Sequence, residues 1–478
     1  MSRSRRLAGA LLVPLLAAAC VADRPAPTDP GETPGTSSAP TLGSTGTDAP
    51  GTGAAAVLGR PTDASITVNV VAAVDADVWC EYGTASGAYT QRTASQRAVA
   101  GEPIETLISG LLANTRYHYR MHIGDTAGPE GTFVTQRSAG STYVFDVQGD
   151  SHPERAGKQW DAGLYETALQ DIAADSPDFL VMMGDDFSVD TLRQVDQASV
   201  DAVYLRQREW LTQVGSPIFL VNGNHEQAAL ANLDGTADNV AVWAQAARNA
   251  YFPLPAPDQF YSGDAVPVEH IGLLRDYYAF TWGDALFAVI DPYWHSPGVV
   301  DNAFGEGQGK TGSGGKGKQD PWSVTLGETQ YRWLEETLGE STARYKFVFA
   351  HHVNGTGRGG VESAGSGEWG DAAHLAANRT GWDRTIQQLM ADTGVTIFFQ
   401  GHDHVFTRQE LDGVVYQTAP SPADPNDTMG QAGAYKEGTV LPGSGHLRVT
   451  VTPDGVTVAF VRVGLNVPSE VVYTYTLP

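Results

Sequence analysis

Cysteine is nearly absent: Cys20 and Cys80 are the two in 478 residues, so at most one disulfide can form and a disulfide-built scaffold is excluded. Basic residues are scarce as well. Thirty Lys and Arg stand against 55 Asp and Glu, a formal charge of −25. That balance leaves no basic face for a phosphate backbone, which argues against nucleic-acid binding and requires any phosphorylated substrate to be held by local charge. The longest early apolar run, residues 7–19, is too short to span a bilayer as a mature helix. What the chain does have is 41% hydrophobic residues, over a length that implies two or three folded units.

Arg3, Arg5 and Arg6 precede that apolar run, the arrangement of an export signal over residues 1–19. Leu16-Ala17-Ala18-Ala19-Cys20 resembles a bacterial lipobox, although Ala17 stands where that motif prefers Leu. The resemblance implies a lipid on Cys20, a membrane contact through that anchor, and an exported cell-envelope lipoprotein. Plain cleavage after Ala19 gives a periplasmic or secreted protein instead. Residues 20–59 are mostly Pro, Thr, Gly, Ser and Ala, a composition that cannot offset the entropy of folding and predicts a disordered tether.

Residues 60–137 change to short alternating stretches: Ile66-Thr67-Val68-Asn69-Val70, Val78-Trp79-Cys80-Glu81-Tyr82 and Tyr117-His118-Tyr119-Arg120-Met121. Period-two alternation between turn residues predicts an all-β sandwich, with Cys80 on the buried side and His118 and His122 on the strand surface. The segment from Ser109 to Tyr119, and Gly131-Thr132-Phe133-Val134-Thr135, resemble strands of fibronectin type III-like domains.

From residue 141 apolar strands alternate with amphipathic stretches, such as Leu164-Ala168-Ile172 and Tyr331-Leu334-Leu338, which predicts an α/β layered domain running to residue 478. Five polar blocks each follow an apolar strand, the place where α/β folds put their sites. They are Asp150-Ser151-His152, Gly184-Asp185-Asp186, Gly223-Asn224-His225-Glu226, His351-His352 and Gly401-His402-Asp403-His404. Singly each is commonplace; in this order and context they are not.

Together the blocks resemble the signature of the calcineurin-like metallophosphoesterase superfamily, which implies an αββα sandwich. By that resemblance Asp150, His152, Asp185 and His404 hold one metal ion. Asp185, Asn224, His351 and His402 hold a second, with Asp185 bridging. Asn224 and His225 contact the substrate, and His225 serves as general acid or charge stabiliser. Imidazole, carboxylate and amide ligands suit two divalent ions of Fe, Mn or Zn rather than an all-oxygen cage. Two such ions can acidify a bridging water and neutralise a phosphoryl group during in-line attack.

Neighbouring residues carry less. Glu226 either orients His225 or serves the structure. His352 lines the pocket or faces solvent, and Arg358 reads as an exposed loop arginine within reach of a phosphate. Trp294 and His295 are candidate pocket wall. Residues 305–318, rich in Gly and Lys, read as a surface loop without phosphate-loop spacing, and His270, His374 and His446 have no partner block.

A fibronectin-like module ahead of such a unit resembles purple acid phosphatases. The likeness breaks where those enzymes carry a metal-bound tyrosine, since Ser188 stands there and Phe187 cannot ligate, and at His152, which they lack. The expectation is therefore an exported metal-dependent phosphatase that hydrolyses small phosphate monoesters by a water or hydroxide bridging two metal ions. A phosphodiesterase or nucleotidase using the same centre is the alternative, and a non-catalytic surface binding protein is a third possibility.

Overall fold

The computed structural model describes residues 56–300 and 320–478, apart from 194, 299, 356 and 427. The expected leader, the Cys20 anchor, the tether up to residue 55 and the 305–318 loop lie outside the described residues. Residues 56–59, expected to belong to the tether, are folded. Ala56–Gly59 is a strand paired antiparallel with Ser65–Val71. Its two faces are both used: Leu58 enters the core of the β-module, while Val57 packs among the helices of the following domain. Composition averaged over forty residues hid this one apolar pair.

The β-module has two antiparallel sheets around one core. One is Ala56–Gly59, Ser65–Val71 and Pro103–Ser109; the other joins Gln91–Arg92, Ala76–Gly83, Arg116–Ile123 and Thr126–Val134, with Gln96–Ala98 also on Ala76–Gly83. Alternation aims Val78, Cys80 and Tyr82 inward, as the period predicts. Burial pushes the Cys80 thiol up to about 12. His118 and His122 point to the other face, His118 Nδ1 against Glu130 at 3.0 Å and His122 stacked on Trp79 with ring centroids 3.7 Å apart.

This module is bonded into the domain that follows. Asn69 donates to the Ala250 carbonyl at 2.8 Å, and Arg208 donates to the carbonyls of Asn69 at 2.6 Å and Tyr251 at 3.0 Å. Burial lowers the Arg208 guanidinium to about 9. Arg137 makes a two-pronged pair with Asp178 at 2.7 and 2.8 Å.

The rest of the described chain stacks two mixed sheets between layers of helices. A six-stranded sheet runs Ile218–Leu220, Leu180–Met182, Tyr143–Gln148, Gly445–Thr452, Gly455–Gly464, Val467–Leu477; its first three strands are parallel. An eight-stranded sheet is centred on Ala285–Val289, Tyr345–Phe349 and Ile397–Gln400, again parallel. Between the sheets lies an aromatic core: Phe145 packs edge-on against Phe287, centroids 5.0 Å apart, and Phe349 stacks on Phe399 at 5.0 Å. Each fully buried ring contributes roughly 2–3 kcal/mol, so the sheets form a stiff base for the loops at their carboxyl ends.

The helices Ala162–Asp175, Gln197–Leu211 and Val240–Tyr251 cover the outer face of the first sheet, and Gly327–Glu340 and Ile386–Asp392 that of the second. Side-chain caps start four of these five, Gly327–Glu340 being the exception. Asp161 accepts from the Leu164 amide at 2.9 Å, and capping boxes form at Asp196 with Ser199 and at Thr385 with Gln388. Among the described residues no helix is long and apolar enough to cross a membrane.

Candidate metal centre

The five blocks converge where the carboxyl ends of the two sheets meet. Asp150 and Asp185 follow adjacent parallel strands, and each uses its two oxygens differently. Asp150 Oδ1 accepts from the His402 amide at 2.7 Å, and Asp185 Oδ1 from the His225 amide at 2.9 Å. The remaining oxygens face imidazoles: Asp150 Oδ2 lies 3.2 Å from His404 Nε2, and Asp185 Oδ2 lies 3.2 Å from His351 Nε2 and 3.6 Å from His152 Nε2. Asn224 Oδ1 is 3.0 Å from His351 Nε2.

These close approaches explain the glycines of the blocks. A Cβ at Gly223 would stand 2.2 Å from Asp185 Oδ1, and one at Gly401 would stand 2.5 Å from Asp150 Oδ1. His152, Asp185, His402 and His404 themselves sit at φ of 50, 60, 65 and 59°, a left-handed conformation costly for residues with a Cβ and concentrated where function demands geometry.

The donor set fits a metal. His152 Nε2 and His402 Nδ1 are buried with no hydrogen-bond partner, and burial holds both rings well below the usual imidazole range, so each is a neutral ring with a ligating nitrogen to offer. Burial opposes charging of His351 too, yet the carboxylates of Asp185 and Asp150 push it up to about 10, the proton standing where a cation would. One oxygen or nitrogen each from Asp150, Asp185, His351 and His402 lie within 4.8 Å of one another, as do those of Asp150, His152 and His404. Asp150 is common to both groups, while Asp185 Oδ2 faces a ring of each, His351 at 3.2 Å and His152 at 3.6 Å. Hydrogen bonds behind the rings fix them: His152 Nδ1 meets Glu154 Oε1 at 2.8 Å, and His351 Nδ1 meets the Met183 carbonyl at 2.7 Å.

His225 stands outside both of these groups, although one of its ring nitrogens lies within 4.8 Å of ligand atoms of His152 and Asp185. Its Nδ1 is 2.8 Å from Asp190 Oδ2, and its Nε2 is 3.0 Å from Arg155 and 4.0 Å from Asp185 Oδ2. Burial opposes its charging, but Asp185 and Asp190 push it up to about 9. Glu226 does not orient this ring. Buried, it accepts four amide bonds, from Asp185 and Gly223 at 2.9 Å on Oε2 and from Asp186 at 2.6 Å and Phe187 at 2.9 Å on Oε1. It clamps the second block to the third.

The weaker sequence candidates divide. His352 is buried, its Nδ1 2.7 Å from the Tyr293 hydroxyl and its ring 3.7 Å from that of His402, so it lines the centre and does not face solvent. Arg358 is no free loop arginine: it donates to the His402 carbonyl and to Asp403 Oδ1, the latter at 3.0 Å, and steadies the fifth block. His295 pairs with Asp276 at 3.0 Å, and Trp294 lines a small cavity with Tyr204 and Arg248. His270 and His374 lie apart from the centre, beside Glu269 and Asp371. His446 has a partner after all, Asp175 at 3.0 Å. Phe187 stacks on Tyr204 in the helical layer, centroids 4.6 Å apart, and Ser188 is buried.

Sequence reasoning missed Asp190, Arg155 and Glu154. None sits in a motif: each lies on a turn a few residues beyond a block, and only the folded turn brings it back.

Comparison with known proteins places this geometry. The family described as calcineurin-like phosphoesterase matches residues 143–406, more than half of the chain. A solved structure of PhoD is similar with a TM-score of 0.64 and 15% identity, over 88% of this chain and 89% of that one, a likeness of fold. GAP50, the anchor in the inner membrane complex of Plasmodium, is similar with a TM-score of 0.39 and 16% identity, over 70% of this chain and 88% of its own. A dimetal phosphatase from Danio rerio is similar with a TM-score of 0.38 and 12% identity, over 69% and 98%. Among curated protein sequences nothing matches.

Proposed function

This chain belongs to the calcineurin-like phosphoesterases, and we propose that it is an exported phosphatase that hydrolyses small phosphate monoesters. The supporting observation is the division of labour at Asp150 and Asp185: one oxygen of each is held by a backbone amide, leaving the other for a cation shared with buried imidazoles. On this reading Asp150, His152, Asp185 and His404 hold one divalent ion, and Asp185, Asn224, His351 and His402 the other, from among Fe, Mn and Zn. Bound there, the ions supply Lewis acidity toward water and toward the phosphoryl oxygens.

The chain's own residues do the rest. The Arg155 guanidinium, which donates to His225 Nε2 at 3.0 Å and to Gln159 Oε1 at 2.9 Å, holds a fixed positive charge beside the space a phosphoryl group would enter. His225, held by Asp190 at Nδ1, turns Nε2 toward Arg155; if a phosphoryl group draws that guanidinium away, Nε2 can take a proton and pass it to the departing alkoxide. Local positive charge, rather than the acidic surface, then recruits the anion. Export and a lipid on Cys20 complete the proposal, resting on the residues of the leader alone.

Metal analysis of the purified protein, followed by hydrolysis assays on a panel of monoesters, diesters and nucleotides with each metal restored, tests it. Preferred turnover of monoesters supports the reading; a preference for diesters or nucleotides replaces it, and no hydrolysis by metal-replete protein ends it. Mass spectrometry of the mature N-terminus tests the Cys20 anchor.

A further inference from the structure

A second polar cluster lies on the other face of the six-stranded sheet, under the helix Ala162–Asp175. Along Tyr143–Gln148 and Gly445–Thr452 the inward residues Phe145, Val147, Leu447 and Val449 fill the aromatic core. The alternate positions Asp146, His446 and Arg448 therefore face the helix layer. Asp146 and Arg448 are register partners, but the guanidinium goes to Asp175, the last residue of the helix. His446 Nε2 also faces Asp175, 3.0 Å from Oδ2, while its Nδ1 is buried with no hydrogen-bond partner. Asp146 is left bare: it is 0% exposed, and neither carboxylate oxygen has a partner.

A buried carboxylate without a donor is strongly disfavoured, and a cation between these groups removes the penalty. One oxygen of Asp146, one of Asp175 and one ring nitrogen of His446 lie within 4.8 Å of one another. Two ligands sharing an ion at roughly 2.0–2.2 Å stand on the order of 3–4 Å apart, so a small contraction closes the site. With Asp146 ionised, the two carboxylates and Arg448 present one net negative charge to an ion, and an imidazole among the ligands selects against calcium and magnesium.

We propose that Asp146, Asp175 and His446 form a third cation site, for a divalent ion of the zinc or manganese class, separate from the paired centre and structural in effect. It ties the end of the helix to the strand that four residues later delivers Asp150. Burial and the neighbouring Asp175 charge hold Asp146 well above the usual carboxylate range, so a proton occupies it when the ion is absent and uptake of the ion releases that proton.

The test is ion counting on the full chain, loaded with zinc or manganese and dialysed. The expected result is three ions per wild-type chain, two in Asp146→Asn and two in His446→Gln, with both variants melting below wild type yet still hydrolysing p-nitrophenyl phosphate. Asp185→Asn should keep one. Two ions in the wild type, or three in His446→Gln, overturns the proposal even if Asp146→Asn does not fold. An unchanged count in Asp185→Asn alongside a loss of one in His446→Gln upholds this site and overturns the paired-centre reading instead.

Discussion

Asp190 Oδ2 lies 2.8 Å from His225 Nδ1, although the two residues come from different strand-end loops. The carboxylate holds a proton on Nδ1, turns Nε2 outward and favours the charged ring. Asp190→Asn should therefore lower kcat about tenfold to a hundredfold with ion content unchanged, and His225→Ala by about a hundredfold or more. Because the two act as one unit, the double variant should be little worse than His225→Ala. Steady-state kinetics with parallel metal analysis decides; independent, multiplying losses would show that the pair does not work together.

Asp185→Asn should weaken both ions of the paired centre, whereas His402→Ala should chiefly remove one. The reason is geometric: Asp185 Oδ2 stands between His351 and His152. Metal titration by calorimetry reads this, and two tight ions in that centre of the Asp185→Asn variant would contradict the bridging role.

Glu226→Gln should destabilise the fold by about 2–4 kcal/mol, since an amide nitrogen would then face some of the four backbone donors that the carboxylate satisfies. Urea unfolding measures it. A variant of wild-type stability with lost activity would point back to a role at His225.

How far the site was legible follows from what each residue had to do. Asp150, Asp185 and His351 could be found because a ligand must sit at a strand end, and strand ends show as the close of an apolar run. Asp190 and Arg155 could not, since hydrogen bonding across loops leaves no period in the sequence. Glu226 shows a different limit: its block was visible, but whether a buried carboxylate serves its neighbour or a set of amides, three of them about forty residues back, depends on chain direction in the turn. His446 looked solitary because Asp175 is 271 residues away in the chain. The strand at Ala56–Gly59 was lost for the opposite reason, a short apolar signal at the edge of a long polar segment.

The alkaline limb of stability should bear the mark of Cys80. Its thiol ionises near 9.0 in the unfolded chain and about 12 in the fold, so the unfolded state loses its proton first as pH rises. Stability from this residue is intact below about pH 9 and declines between about 9 and 12, by up to roughly 4 kcal/mol. Cys80→Ala should flatten that decline in urea unfolding as a function of pH, and native Cys80 should resist alkylation at neutral pH; rapid labelling of the folded protein would refute the burial argument.

The metal-replete protein should be nearly colourless and most active at neutral to alkaline pH. Purple enzymes owe their colour to a tyrosine phenolate on ferric iron, and here Ser188 is buried while Phe187 is stacked on Tyr204. A neutral imidazole from His152 favours a divalent ion, which acidifies water less than a ferric one. A strong visible charge-transfer band with an acidic optimum would show otherwise.

Arg208 carries a consequence for how this protein can be cut and recombined. Its guanidinium ends on the main chain of Asn69, so a catalytic fragment started near residue 141 would strip a buried cation of an acceptor and uncover the helices beneath Val57. Nor can an unrelated β-domain be grafted in its place unless it brings a carbonyl to the same point. Within this lineage the two parts should be inherited together, with changes at Arg208 accompanied by changes in the strand Ser65–Val71.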